Sequence, residues 1–220
     1  MKEEKTHKSF FGRLQRTPKW KKEEFSEIEY EPRPVKELLT EMKDISELII
    51  DLAYSAVLFH DDDILEEVKF LEVRMDTLNY DIRVMAMMAA RSKEDAEQLA
   101  GILQIAQAAE KISNAAGDIV LLYKEKSASV FSRIMKQADE RLYRMKVSSK
   151  SAACTQLIGS LNIESETGMR IIAIRRNNCW IYNPQSTNKL NADDMLIIRG
   201  NDDGFKALQA FLSGEQQVLE

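Results

Sequence analysis

Few residues in this chain are of types that could do chemistry, and their spacing narrows what that chemistry is. Glu72 and Asp76 stand four apart in "EVRMD", which puts both carboxylates on one face of a helix. Such pairs are the raw material of an oxygen-ligand metal site. Glu110 is followed at the same spacing by Asn114, with Asp118 one turn beyond. A neutral amide where a multi-metal site needs charge favours an ion-paired or solvated helix face, with Arg74 or Arg83 as neighbours, and no metal is expected. The second grouping is Arg175-Arg176, at the end of the apolar run "MRIIAI" and just before Asn177-Asn178. Strand, two polar residues and the strand "CWIY" read as a β-hairpin whose asparagines accept positive φ. The arginines are either the ordinary charged ends of a buried strand or anion contacts at the mouth of whatever the hairpin builds.

Nothing else in the sequence resembles catalytic equipment. The two histidines, His7 and His60, fall in unrelated segments. HExxH, Cys/His clusters, GxSxG and Walker A loops are all missing from the sequence, and no enzyme is expected. Cys154 and Cys179 lie far apart in apolar contexts and read as reduced structural thiols. A net charge of −5 argues against a general nucleic-acid binder. No apolar run reaches the ~20 residues that span a bilayer, and no signal-peptide core opens the chain, so a cytoplasmic protein is expected.

The elements that position these groups fall into segments. Residues 1–33 form a tail with eight Lys/Arg against two Glu up to Lys22, then five Glu and no base from Glu23 to Glu31. Phe10, Phe11, Leu14 and Trp20 interleave with the bases, the composition of an anionic-membrane contact; the bland alternative is a disordered arm whose two charge blocks meet each other. Residues 34–125 read as three amphipathic helices in an antiparallel bundle. The expected stripes are Leu38, Met42, Ile45, Ile49, Leu52 and Ala56; Leu65, Val68, Leu71, Met75, Leu78, Ile82 and Met85; and Leu99, Ile102, Ile105, Ala109, Ile112, Ala116 and Ile119. "DDD" at 61–63 caps the second helix, and Ser92 with Asp95 starts the third. Residues 126–140 supply a connecting helix. From 141 to 220 short strands ("RLYRMKV", "IIAI", "CWIY", "DMLIIRG") alternate with short helices, giving an α+β chain of two domains.

The last segment, roughly Arg141 to Leu212, resembles the TrkA C-terminal domain of regulators of potassium conductance. The resemblance is carried by "QLIGSLNI", "ESETGMRIIAIRR", Pro184, "MLIIRG" and the final helix, in that order. One departure is Asp193-Asp194, where the family usually has Gly-Asp before the last strand; this weakens a tight turn. The helical segment resembles one repeat of the PhoU family, through "EVRMDTLNYDI" and "AAEKISNAAGDIV". A single repeat leaves an apolar face uncovered, which implies a homodimer. No GxGxxG follows a strand, so the nicotinamide-binding half that accompanies some such domains is not expected.

The resemblance implies a regulatory subunit of a membrane-embedded cation transporter or channel, for potassium, sensing a small ligand. In several relatives the dimer cleft of this domain receives cyclic di-AMP. Carried over, Ile171 and Ile172 become the walls, Arg175 and Arg176 the phosphate contacts, Asn178 a base contact and Pro184 the rim. The alternative is that these isoleucines are only core and dimer seam. The runner-up function is a PhoU-type adaptor in phosphate signalling.

Overall fold

The computed structural model describes residues 33–124, 128–135, 137–177 and 179–219. The expectation of an anionic-membrane contact by the tail lies outside those residues. The chain divides into two compact units between Gln137 and Ala138.

The first unit is helical: α1 (Val35–Phe59), α2 (Asp62–Ala89), α3 (Lys93–Leu121) and the short α4 (Ala128–Met135). Local chemistry sets the ends. Pro34 precedes α1, and its carbonyl accepts from the amides of Glu37 and Leu38. His60 closes the helix in the left-handed region at φ 49°. The Asp61 side chain accepts from the amides of Asp63 and Ile64, and Ser92 Oγ accepts from Asp95 N, so both expected caps are present. Leu38, Ile45, Ile49 and Leu52 of α1 and Val68, Leu71, Met75, Leu78 and Ile82 of α2 are all fully buried. A buried carboxylate ties the two helices: Glu41 accepts from Arg74 Nε of α2 and from Arg33 Nη2, both at 2.7 Å.

α3 departs from its expected stripe. It buries Ala106, Ala109, Ser113, Ala116 and Val120, while Ile105 and Ile112 are 60% and 41% exposed. Small side chains let this helix lie close against α1 and α2, and the rotation that achieves this turns the larger isoleucines outward.

The second unit is a four-stranded antiparallel sheet, β1 (Arg141–Lys146), β2 (Arg170–Arg176), β3 (Cys179–Tyr182) and β4 (Met195–Gly200), in the order β1-β4-β2-β3. Short helices α5 (Ile158–Leu161) and α6 (Ile163–Thr167) precede β2, and α7 (Asp202–Ser213) follows β4. Their apolar faces, with Ile163, Leu208, Phe211 and Leu212, share a core with Val147, Met169, Ile174, Leu190, Leu196 and Ile198. The β2–β3 hairpin closes on Arg176↔Cys179, with Asn177 at φ 56° as expected at the turn. Cys179 is exposed on β3 rather than packed in the core.

Two glycines permit close packing around the turn into β2. A Cβ at Gly204 would run into the Thr167 carbonyl, and one at Gly200 into Met169 Sδ.

Candidate ligand site in the C-terminal unit

The route into β2 builds a concave surface. α6 ends at Gly168 (φ 67°), and Thr167 Oγ1 donates to the Ile163 carbonyl at 2.6 Å while accepting from Met169 N. This turn sends Arg170 and Ile171 along the strand beside the segment that leaves β3. There Asn183 takes φ 41°, its amide donates to the Ile172 carbonyl at 2.9 Å, and Pro184 follows. The next loop is held against α5: Gly159 N donates to Ser186 O at 2.9 Å, so close that a Cβ at Gly159 would sit 2.8 Å from that of Ser186. Between these segments lies a pocket of about 510 Å³. Its lining includes Ile158, Ile163, Ile171 and Pro184, with Arg170 and Asn183 among the polar groups. The volume is in the ~300–1,000 Å³ range of small-molecule sites, and its lining is largely polar, with Gln185 and Ser186 beside Arg170, Asn183 and Glu164. Arg170 Nη2 reaches Asn183 Oδ1 at 3.4 Å, which holds the cation beside the amide. Glu164 is an acid on the same lining.

The six residues singled out in the sequence do not share one environment. Ile171 and Pro184 line the pocket together. Ile172 sits at the register shift between Ile171 and Ala173, a β-bulge, and is buried. Arg175 and Arg176, being adjacent on a strand, project to opposite faces of the sheet. Arg176, expected as a phosphate contact, braces a turn. Its Nε and Nη2 donate to the two carboxylate oxygens of Asp194 at 2.8 and 2.7 Å, and Nη2 also reaches the Lys189 carbonyl at 2.7 Å. Asp194 is fully buried and accepts from Asn191 N as well. The physical reason is plain: a buried carboxylate beside the hairpin needs a two-pronged cation. Asn178 lies outside the described residues.

Sequence reasoning missed Arg170 and Asn183. Their signal was available in position rather than type, since one opens β2 and the other precedes the proline that ends the hairpin.

The carboxylates of the helical unit form a looser grouping. Burial, reinforced by Asp76 and Asp118, pushes Glu72 above the usual carboxylate range; burial and then Glu110 do the same to Asp76. Glu110 is engaged by the Asn79 amide and lies 3.5 Å from Arg83. Among the described residues no group of three or more His, Cys, Asp or Glu is placed to hold a metal ion.

A helical bundle and a small antiparallel sheet with helices define a two-part α+β protein. Residues 39–122 match the PhoU domain and residues 142–213 the TrkA-C domain. The chain therefore carries a PhoU domain followed by a TrkA-C domain, and both are regulatory domains, usually without catalysis. Among solved structures it is similar to the regulator-of-conductance C domain of the potassium transport protein KtrA in complex with cyclic diadenosine monophosphate, at 29% identity over 38% of this chain and 95% of that one (TM-score 0.31). It is also similar to the RCK_C domain dimer of S. agalactiae BusR in complex with c-di-AMP, at 23% identity over 35% and 95% (TM-score 0.33). BusR in complex with its busAB-promotor DNA matches at 18% identity over 63% and 78% (TM-score 0.33). No curated protein is significantly similar to the chain. No described helix is long and apolar enough to cross a membrane.

Proposed function

We propose that this protein is a homodimeric regulatory subunit of a membrane-embedded cation transporter or channel, for potassium, acting at the cytoplasmic face. In this reading the TrkA-C domain senses a small ligand and the PhoU domain passes the change on. The observation that carries it is the pocket beside β2. Its apolar side, Ile171 with Ile158 and Ile163, suits the face of an adenine, and Arg170 and Asn183 suit a phosphate and a base edge. Cyclic di-AMP has two adenines and two phosphates, so one molecule would be shared between the pockets of two copies. Ile172 and Arg175 are the further contacts proposed at that junction, with Asn178 as a base contact. A ligand clasped in this way favours one dimer geometry over another, which is the differential affinity that regulation requires.

The test is thermal unfolding of the full chain with cyclic di-AMP, ATP, NADH, potassium and divalent cations in parallel. A ligand that binds only the folded state at a hundred times its Kd stabilises by about 2.7 kcal/mol. A raised unfolding temperature with cyclic di-AMP is expected. Stabilisation by another member of the panel alone would replace the ligand, and none by any member would remove the sensor role.

A further inference from the structure

We propose that α3 is a dimer seam, on which the α3 of a second copy of this chain docks antiparallel. The inference adds a contact surface to the homodimer reading above and rests on it.

The helix carries two stripes. One, with Ala106, Ala109, Ser113, Ala116 and Val120, faces its own core. The other holds Ile105 and Ile112, exposed by 60% and 41%, with half-buried Ile119. Gly101, Ala108 and Ala115 are exposed along the same face, and the space around Gly101 is open. Both sets recur every seven residues, the spacing that a straight helical partner reads as a continuous seam.

The chemistry of the face selects the partner. Large and small residues alternate, so the face fits a copy of itself turned end for end. With the two-fold axis between Ile112 and Ala115, each Ile112 lies on the Ala115 of the other copy, and each Ile119 on its Ala108. Small residues at these places let helix axes approach to the close end of the ~8–10 Å range. Lys111 and Asp118 are exposed and occupy equivalent heptad positions along the edge. The antiparallel arrangement sets each lysine against the other copy's aspartate; a parallel pair would turn this edge toward the opposite edge of the partner helix, and the match would be lost. Gly101 to Ile119 spans about 27 Å of helix. A strip of that length and about 10 Å width on both copies buries on the order of 500 Å², less than the ~1,000 Å² of a self-sufficient interface. The seam is thus one contact of the dimer and not its only support.

Site-directed cross-linking of the full chain tests this, in a background where Cys154 and Cys179 are replaced by serine. Ala115→Cys treated with a short bismaleimide is expected to give at least tenfold more covalent dimer than Asn114→Cys, one residue away on another face. Lys111→Asp in the Ala115→Cys chain is expected to lower the yield severalfold, and adding Asp118→Lys to restore it. All these positions are exposed, and circular dichroism checks that helicity is kept. Equal yields at 114 and 115, or loss without rescue, would overturn the seam while a dimer by light scattering leaves the homodimer reading standing. A monomer by light scattering overturns both.

Discussion

Arg176 and Asp194 grip each other at two points, with the guanidinium Nε and Nη2 on the two oxygens of a carboxylate that has no exposed surface. Eighteen residues apart in sequence, they join the end of β2 to the turn that launches β4. The same cation braces the Lys189 carbonyl, so three segments depend on one side chain.

Arg176→Ala leaves Asp194 buried without its cation and is expected to cost about 3 kcal/mol, the low end for a broken buried pair, because the guanidinium is partly exposed. Arg176→Lys recovers only part, since an ammonium cannot fork onto two oxygens. Calorimetric unfolding of the full chain reads this as a lowered temperature for the transition of the C-terminal unit. Unchanged stability together with lost ligand binding would return Arg176 to a phosphate-binding role.

Asp193 is expected to be a better glycine. It sits at φ 67°, the left-handed conformation that costs a side chain roughly 1 kcal/mol or more, although aspartate tolerates it better than most. This is the turn where the sequence departs from the Gly-Asp of the TrkA C-terminal family. Asp193→Gly should stabilise by about 0.5–1 kcal/mol, less whatever the exposed Lys146–Asp193 pair contributes. Urea unfolding measures the net; a loss of stability would mean that the ion pair outweighs the backbone strain.

Gly204→Ala should destabilise by about 2–3 kcal/mol, as overpacking does when the obstructing atom is a backbone carbonyl that cannot swing aside. Gly101→Ala, with open space around it and a helical backbone, should instead stabilise by up to about 1 kcal/mol. Parallel unfolding curves of the two variants compare them directly; similar shifts of the same sign would contradict this account of the packing.

The local features of the fold were legible in the sequence because local chemistry decides them. Asp61 and Ser92 cap the amides just downstream, and Asn177 takes the turn conformation that its neighbours require. The orientation of α3 was not legible. Helical periodicity reports that apolar residues share a side, yet Ile105 and Ile112 lie close enough to the alanine stripe for one broad stripe to be read where two exist. Only the space left between α1 and α2 decides which stripe goes inward. The candidate site divided the same way. Ile171 and Pro184 were readable from the hairpin, whereas the pairing of Arg176 with Asp194 and of Arg170 with Asn183 depends on chain segments meeting across the fold.

Acidification should stabilise the helical unit. Glu72 and Asp76 have raised folded-state values, so between the unfolded value and the higher folded one the folded state holds protons that the unfolded state has released. Stability therefore rises as pH falls from neutrality through the folded values and levels off below the unfolded ones, about pH 4. Glu72→Gln with Asp76→Asn should raise stability at pH 7 and flatten this dependence. Fluorescence-detected unfolding between pH 7 and pH 5 follows it; a slope unaffected by the double substitution would place its source elsewhere.

The central claim is that the pocket beside β2 senses a cyclic dinucleotide, and isothermal calorimetry of the full chain with cyclic di-AMP tests it most directly. Each charge-assisted contact is worth about 1.5–3 kcal/mol, so Arg170→Ala should weaken binding roughly ten- to a hundredfold. Ile171→Ala should weaken it through the lost wall, and circular dichroism would confirm that both variants stay folded. The account predicts one ligand per two chains for the wild type and these losses in the variants. No heat with the wild type at ligand concentrations up to about a millimolar, where binding is worth only ~4 kcal/mol, or full binding by both variants, would contradict it.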